Sequence, residues 1–191
     1  CTGQGECDGY SGVYLCGDDG GVKCSADYSG GEETCNRLDD NCDGVTDEVC
    51  RELIYRFVGG TELDRDHILS RFPFPPLPNY QYEGVAFSIY TDELDGLTQF
   101  DAFSRQSVSD HIYTIDSAEK ASLQADPDWL TQAILGYVGA SAAENGTIPL
   151  FRLAKPALSD HIYTTDAAEV SSLISSGYVL EGTAAWVWPV Q

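Results

Sequence analysis

Methionine is absent from the 191 residues, basic residues are scarce, and no cysteine follows Cys50. Ten Lys and Arg against 31 Asp and Glu leave a formal charge of -21, which repels a phosphate backbone and excludes nucleic acid as a partner. No apolar run approaches the ~18 residues that a membrane-spanning helix requires, so no transmembrane segment is expected. A Gly-x-Ser-x-Gly elbow, a His-Glu-x-x-His pair and a lysine-bearing phosphate loop are all missing, and the expectation is that the protein is not an enzyme. With no methionine and a cysteine at residue 1, any initiator or signal peptide is expected to lie before this numbering. Cys1 has two readings: the lipidated first residue of a mature bacterial lipoprotein, or a fragment boundary.

What cysteine there is falls in one place. All seven lie within residues 1–50, where acid far outnumbers Lys23 and Arg37 and large apolar residues are few. A segment that cannot bury a core needs disulfides or metal, and disulfides imply an oxidising compartment. The chain therefore divides into a Cys-rich acidic head, 1–50, and a cysteine-free body, 51–191, and is expected to be secreted or exposed at a cell surface. Cys7, Cys16, Cys24, Cys35, Cys42 and Cys50 are the disulfide candidates, with short ribbons and turns between them. Cys35 and Cys42 are close enough to pin the start of an acidic loop, and the odd count leaves one thiol for self-association.

That loop, Asp39 to Cys50, places oxygen donors at alternate positions around a glycine. Calcium takes about six to eight hard oxygens, and such loops supply them from positions 1, 3, 5, 7 and 9 with glycine at 6. Asp39, Asn41 and Asp43 offer side chains, Val45 its carbonyl and Asp47 the ninth position. Cys50 stands where an EF-hand has its closing Glu, so Glu48 or Asp40 is expected to complete the shell. The stretch Glu33 to Glu48 resembles the metal-binding motif named after the MopE copper-binding protein, found in secreted proteins of myxobacteria. The resemblance implies an exported bacterial protein with a calcium site; copper chemistry does not carry over, because this head holds no tryptophan or histidine.

The body is built on a repeat. Asp110-His111-Ile112-Tyr113-Thr114 recurs as Asp160-His161-Ile162-Tyr163-Thr164, with a weaker echo at Asp66-His67-Ile68-Leu69-Ser70. Aligned on these histidines, three copies occupy about 53–98, 99–148 and 149–191, and each reads as strand, strand, helix, strand. Asp166 with Glu169, and Asp116 with Glu119, are capping boxes that open helices. In the first copy Pro73, Pro75, Pro76 and Pro78 forbid that helix. The second copy has Ala102 where the others have Arg56 and Arg152, and Leu135 where they have Glu83 and Glu181. Units that cannot bury their own apolar faces must bury them against each other. The expected fold is mainly β: a pseudo-threefold closed domain, trefoil-like or propeller-like, with peripheral helices, plus the small disulfide-rich calcium head.

The pattern Tyr-Arg-Phe, Asp-His-Ile-Tyr-Thr, Ala-Glu, Glu-Gly resembles a bacterial repeat family numbered 5648 in the domain-of-unknown-function series. The family lends no activity, but its repeats accompany secreted hydrolases and cell-wall lysozymes, which implies an ancillary binding role. Residues repeated in every copy usually encode packing between copies, with His and Tyr bodies buried and their polar atoms bonded to neighbours. The competing reading is a set of ligand pockets combining an aromatic platform with hydrogen-bonding groups. The third copy is the first candidate, through Asp160, His161, Tyr163, Arg152, Glu181 and Trp186. Asp66, His67, Arg56 and Glu83 of the first copy follow. The expected function is a calcium-binding, carbohydrate- or cell-surface-binding module; the alternative is a structural protomer of an extracellular filament, coat or adhesive assembly.

Overall fold

The computed structural model describes residues 14–16, 22–24, 32–36, 47–61, 64–142 and 146–190. The chain separates into two units, Cys1–Arg51 and Glu52–Gln191. In the first, β1 (Tyr14–Cys16) and β2 (Val22–Cys24) pair antiparallel, with Tyr14 opposite Cys24 and Cys16 opposite Val22. A disulfide joins Cys35 to Cys50, whose Cα atoms lie 5.5 Å apart. The sequence left the pairing open, with Cys42 one near partner for Cys35; the crosslink to Cys50 spans the whole acidic loop. Closing a loop of separation 15 removes unfolded-state entropy worth about 3 kcal/mol. Cys7, Cys42, Asp39, Asn41, Asp43 and Val45 lie outside the described residues. Asp47 is described: it is buried, in the left-handed region at φ 49°, and its carboxylate accepts from the Asn36 N–H at 3.1 Å. Its own N–H donates to the Glu33 carboxylate at 2.8 Å.

The three copies in the second unit follow one plan. The first has β3 (Arg51–Gly60), β4 (Arg65–Ser70) and β5 (Gln81–Tyr90). The second has β6 (Leu97–Arg105), β7 (His111–Thr114), α1 (Ser117–Ala125), β8 (Trp129–Thr131) and β9 (Gly136–Gly139). In the third, β10 (Ile148–Lys155), β11 (Asp160–Thr164), α2 (Ala167–Ser175) and β12 (Val179–Val187) follow in the same order. Each copy is a small sheet with its first strand in the middle: β4-β3-β5, β7-β6-β8/β9 and β11-β10-β12. The protein is therefore mainly β, with two α-helices among the described residues.

The trefoil-like or propeller-like closure expected from the repeats does not appear in the strand pairing. The path β11-β10-β12-β9-β5-β3-β4 is open, and β6 branches from it at β9 carrying β7 and β8. The long ladders stay inside the copies, so third strands have only their ends left for neighbours. Copies meet there at single residue pairs, Tyr90 with Tyr137, Gly139 with Trp186, and Ser88 with Trp188.

The strand period of two sorts side chains into two kinds of core. Ile162 joins Leu153, Val170 and Tyr178 in a cluster belonging to the third copy; Ile68 with Phe57 and Tyr80, and Ile112 with Phe103 and Leu123, are its counterparts. On the opposite strand face, Tyr113 and Tyr163 enter a central core that all three copies share, with Ile54, Phe100 and Leu150 at equivalent places. Residues 71–80 of the first copy contain no helix, as the prolines require. Gly177 stops α2 at φ 94°, beyond which the Tyr178 N–H returns to the Leu173 carbonyl at 3.0 Å.

Candidate functional site

The repeated Asp and His never bond to each other within one copy; they link copies in cyclic order. His111 Nδ1 lies 2.9 Å from Asp66, His161 Nδ1 lies 2.8 Å from Asp110, and His67 Nδ1 lies 2.8 Å from Asp160. The three carboxylates are 0, 2 and 1 % exposed for Asp66, Asp110 and Asp160. A carboxylate accepts, so Nδ1 of each histidine is the donor in these links. Tyr80 and Tyr178 donate their phenols to Oδ2 of Asp66 and of Asp160. The N–H of His67 also donates to Asp160, at 3.1 Å.

The tyrosines of the motif make a second set of links. Tyr113 Oη accepts from the Leu69 N–H at 2.9 Å and donates to the Leu69 carbonyl at 3.2 Å. Tyr163 Oη does the same to Tyr113, at 2.8 and 2.9 Å. In effect, side chains satisfy strand-edge groups where no fourth strand is present. The third link is missing because the first copy has Leu69 in the tyrosine position.

Outside these links, arginines clamp the junctions. Arg152 of the third copy forms a two-pronged pair with Glu119 of the second, at 2.8 and 2.9 Å, and bonds Glu181 of its own copy through Nε at 2.6 Å. Arg56 repeats this with Glu169 of the third copy, at 2.6 and 3.0 Å, and its own Glu83 at 2.8 Å. Glu83 and Glu181 also face Nε2 of His67 and His161, both at 3.8 Å. Burial by itself would raise the pKa of Glu119 and Glu169, but the charged bonds from Arg152 and Arg56 outweigh it and hold both below 4.5. For the two arginines, burial opposes the charge, and the glutamates more than restore it.

The reach of Glu119 and Glu169 corrects the capping-box reading. Asp116 caps α1 by accepting from the Glu119 N–H, and Asp166 caps α2 by accepting from Ala168. The N–H groups of both capping aspartates are satisfied by Thr114 and Thr164 hydroxyls, at 3.0 and 3.1 Å. With that donor occupied, the Glu side chains are free to cross to the neighbouring copy.

Each clamp floors a cleft. The larger, about 450 Å3, lies between Asp116, Ser117 and Glu119 of the second copy and Arg152, Glu181 and Thr183 of the third. A smaller one of about 160 Å3 is its equivalent between Asp166 and Glu169 of the third copy and Arg56, Glu83 and Val85 of the first. At the remaining junction Ala102, Leu135 and the proline loop replace arginine, glutamate and helix together.

The residues expected to form one pocket in the third copy are thus dispersed. Arg152 and Glu181 line the larger cleft, and Arg56, Glu83 and Tyr163 the smaller. Asp160, Asp66 and His67 are buried in the inter-copy links, His161 is part of the same set, and Trp186 lines neither cleft. Glu119, Glu169, Asp116 and Asp166 were not expected there; the recurrence of the same Asp and Glu pair at both helix starts was the available signal. Among the described residues no group of three His, Cys, Asp or Glu side chains is placed to hold a metal ion.

These features define a three-copy β domain whose copies are joined by Asp–His, Tyr–backbone and Arg–Glu links, with clefts at two of its junctions. Residues 75–188 match the family described as Domain of unknown function (DUF5648), and the chain belongs to that family. Comparison with curated proteins and with solved structures found no match.

Proposed function

We propose that this is a secreted, non-catalytic binding module that takes carbohydrate of a cell surface in its two junction clefts. The supporting observation is the pair of equivalent cavities. Each combines carboxylates, hydroxyls and a glycine without a Cβ over an immobilised arginine–glutamate pair. Sugar hydroxyls donate and accept at once, and a cleft rich in fixed acceptors suits them. The net charge of -21 turns away sulfated or phosphorylated ligands and leaves neutral or amino sugars. The repeated Asp and His are spent on junction bonds, which favours a binding role over acid–base chemistry.

Thr183 and Val85 occupy equivalent places in the two cleft walls without belonging to a clamp. A glycan array probed in calcium is expected to give binders for the wild type. The Thr183→Trp, Val85→Trp protein, with both clefts filled, is expected to lose them. An array at background for the wild type, or unchanged binding by the filled variant, overturns the assignment.

The head completes the proposal as a calcium site, through Asp39, Asn41, Asp43, the Val45 carbonyl, Asp47 and Glu48. These are hard oxygen donors of the kind calcium prefers, enclosed by the Cys35–Cys50 crosslink. An ion that binds only the folded head stabilises it, so calorimetry in calcium should show a higher melting temperature than in chelator. Identical melting in calcium, magnesium and chelator would remove the metal from the account.

A further inference from the structure

The proline loop of the first copy displays apolar side chains where the other copies have helices. Phe72, Phe74 and Leu77 are 63, 62 and 51 % exposed. In the second and third copies Leu123 and Val170 of the helices cover the copy's own cluster. In the first copy Tyr80 closes that cluster with Phe57 and Ile68, and the phenylalanines are left outside. They are not loosely held. The Phe72 N–H donates to Ser70 Oγ at 3.0 Å, the Tyr80 N–H to the Leu77 carbonyl at 3.1 Å, and the buried Tyr80 phenol to Asp66. Pro73, Pro75, Pro76 and Pro78 restrict the backbone between these anchors, so little entropy remains to be lost on binding.

The two rings are nearly parallel, 16° apart in plane with centroids 5.8 Å apart. We propose that Phe72 and Phe74 form a platform on which the apolar faces of sugar rings of a neutral surface polysaccharide stack, a binding site separate from the junction clefts. Beside it, Arg71 and Glu52 pair at 2.8 Å with their side chains 37 and 50 % exposed, and offer a donor and acceptors for hydroxyls at the ring edge. The surroundings argue against other occupants. An anionic bilayer is repelled by the charge of -21, and the flanking Arg71 is already paired. Two rings and one leucine also make a patch far smaller than the roughly 1,600 Å2 of a stable protein interface.

This inference rests on the carbohydrate reading above. The full chain, in calcium, is tested for retention on cellulose, chitin and peptidoglycan. The comparison set is the Phe72→Ala, Phe74→Ala protein, the cleft-filled Thr183→Trp, Val85→Trp protein, and both sets combined. Losing the burial of two phenylalanines should weaken retention by about tenfold or more with melting unchanged, since both rings are exposed. Undiminished retention of the Phe variant, with loss only in the cleft-filled one, overturns the platform and leaves the clefts as the carbohydrate site. Loss only in the Phe variant keeps the platform and removes the clefts. A wild type retained by none of these polymers overturns the platform, while the clefts stand or fall by the glycan array. Phe-dependent binding to lipid vesicles, or Phe-dependent self-association in light scattering, would assign the patch to another partner and overturn the proposal.

Discussion

Replacing Asp160 by alanine is expected to cost about 3–5 kcal/mol, a large part of the roughly 5–15 kcal/mol that holds a domain folded. One carboxylate, 1 % exposed, accepts from the His67 side chain, the His67 backbone and the Tyr178 phenol. Alanine leaves those donors buried with no acceptor, and the loss falls on the junction between the third and first copies. Asp160→Asn is the sharper variant because it keeps the volume and one acceptor oxygen while removing the charge; it should cost less. Asp110→Ala tests the ranking, since its carboxylate is seen with one side-chain partner, His161. Urea unfolding of the three proteins measures the order, with Asp160→Ala the worst and Asp110→Ala and Asp160→Asn milder. A cost under about 1 kcal/mol for Asp160→Ala would mean that the junctions are held by apolar packing and that the Asp–His links are incidental.

Alkali should unfold the protein cooperatively between about pH 11 and 12. Burial raises the phenols of Tyr80, Tyr113, Tyr163 and Tyr178 well above their ordinary value of 10, with the charges of Asp66 and Asp160 adding to it for Tyr80 and Tyr178. A group raised in the folded state contributes stability that is complete below its unfolded value and is lost as pH rises past it. Four such phenols lose together about 5 kcal/mol by pH 11 and about 10 kcal/mol by pH 12, enough to exhaust a domain's stability. Phenolate absorbance should therefore rise in two phases, exposed tyrosines first, the rest together with the collapse of circular dichroism. A single titration near pH 10 with the fold intact would refute the burial argument. The acid side has the opposite sign: Glu119 and Glu169, held low by arginine, contribute above 4.5 and lose that contribution as pH falls below it.

Much of the plan was legible because it rests on local chemistry. Prolines at 73, 75, 76 and 78 excluded one helix whatever surrounds them, and Asp116 and Asp166 opened two others where the capping pattern placed them. The alternation in His161-Ile162-Tyr163 sorted one face to a private cluster and the other to the shared core. The packing reading of the repeated Asp, His and Tyr agrees with the bonds described. The site was less legible. Arg152 stood out in the sequence, yet its partner Glu119 lies 33 positions away, in another copy. The joint replacement of arginine, glutamate and helix at one junction was visible only as unrelated departures.

Composition and repeat spacing were sufficient for the mainly β character and for where α1 and α2 begin, because propensity, capping and proline act within a few residues. The tertiary structure alone decided which copy partners which. Adjacent residues in a strand point to opposite sides, so in β11 Asp160 does not accept from His161 beside it and takes His67 from the first copy instead. The clamps cross the junctions because Glu119 and Glu169, at the starts of α1 and α2, reach Arg152 and Arg56 of neighbouring copies, so each cleft belongs to a pair of copies.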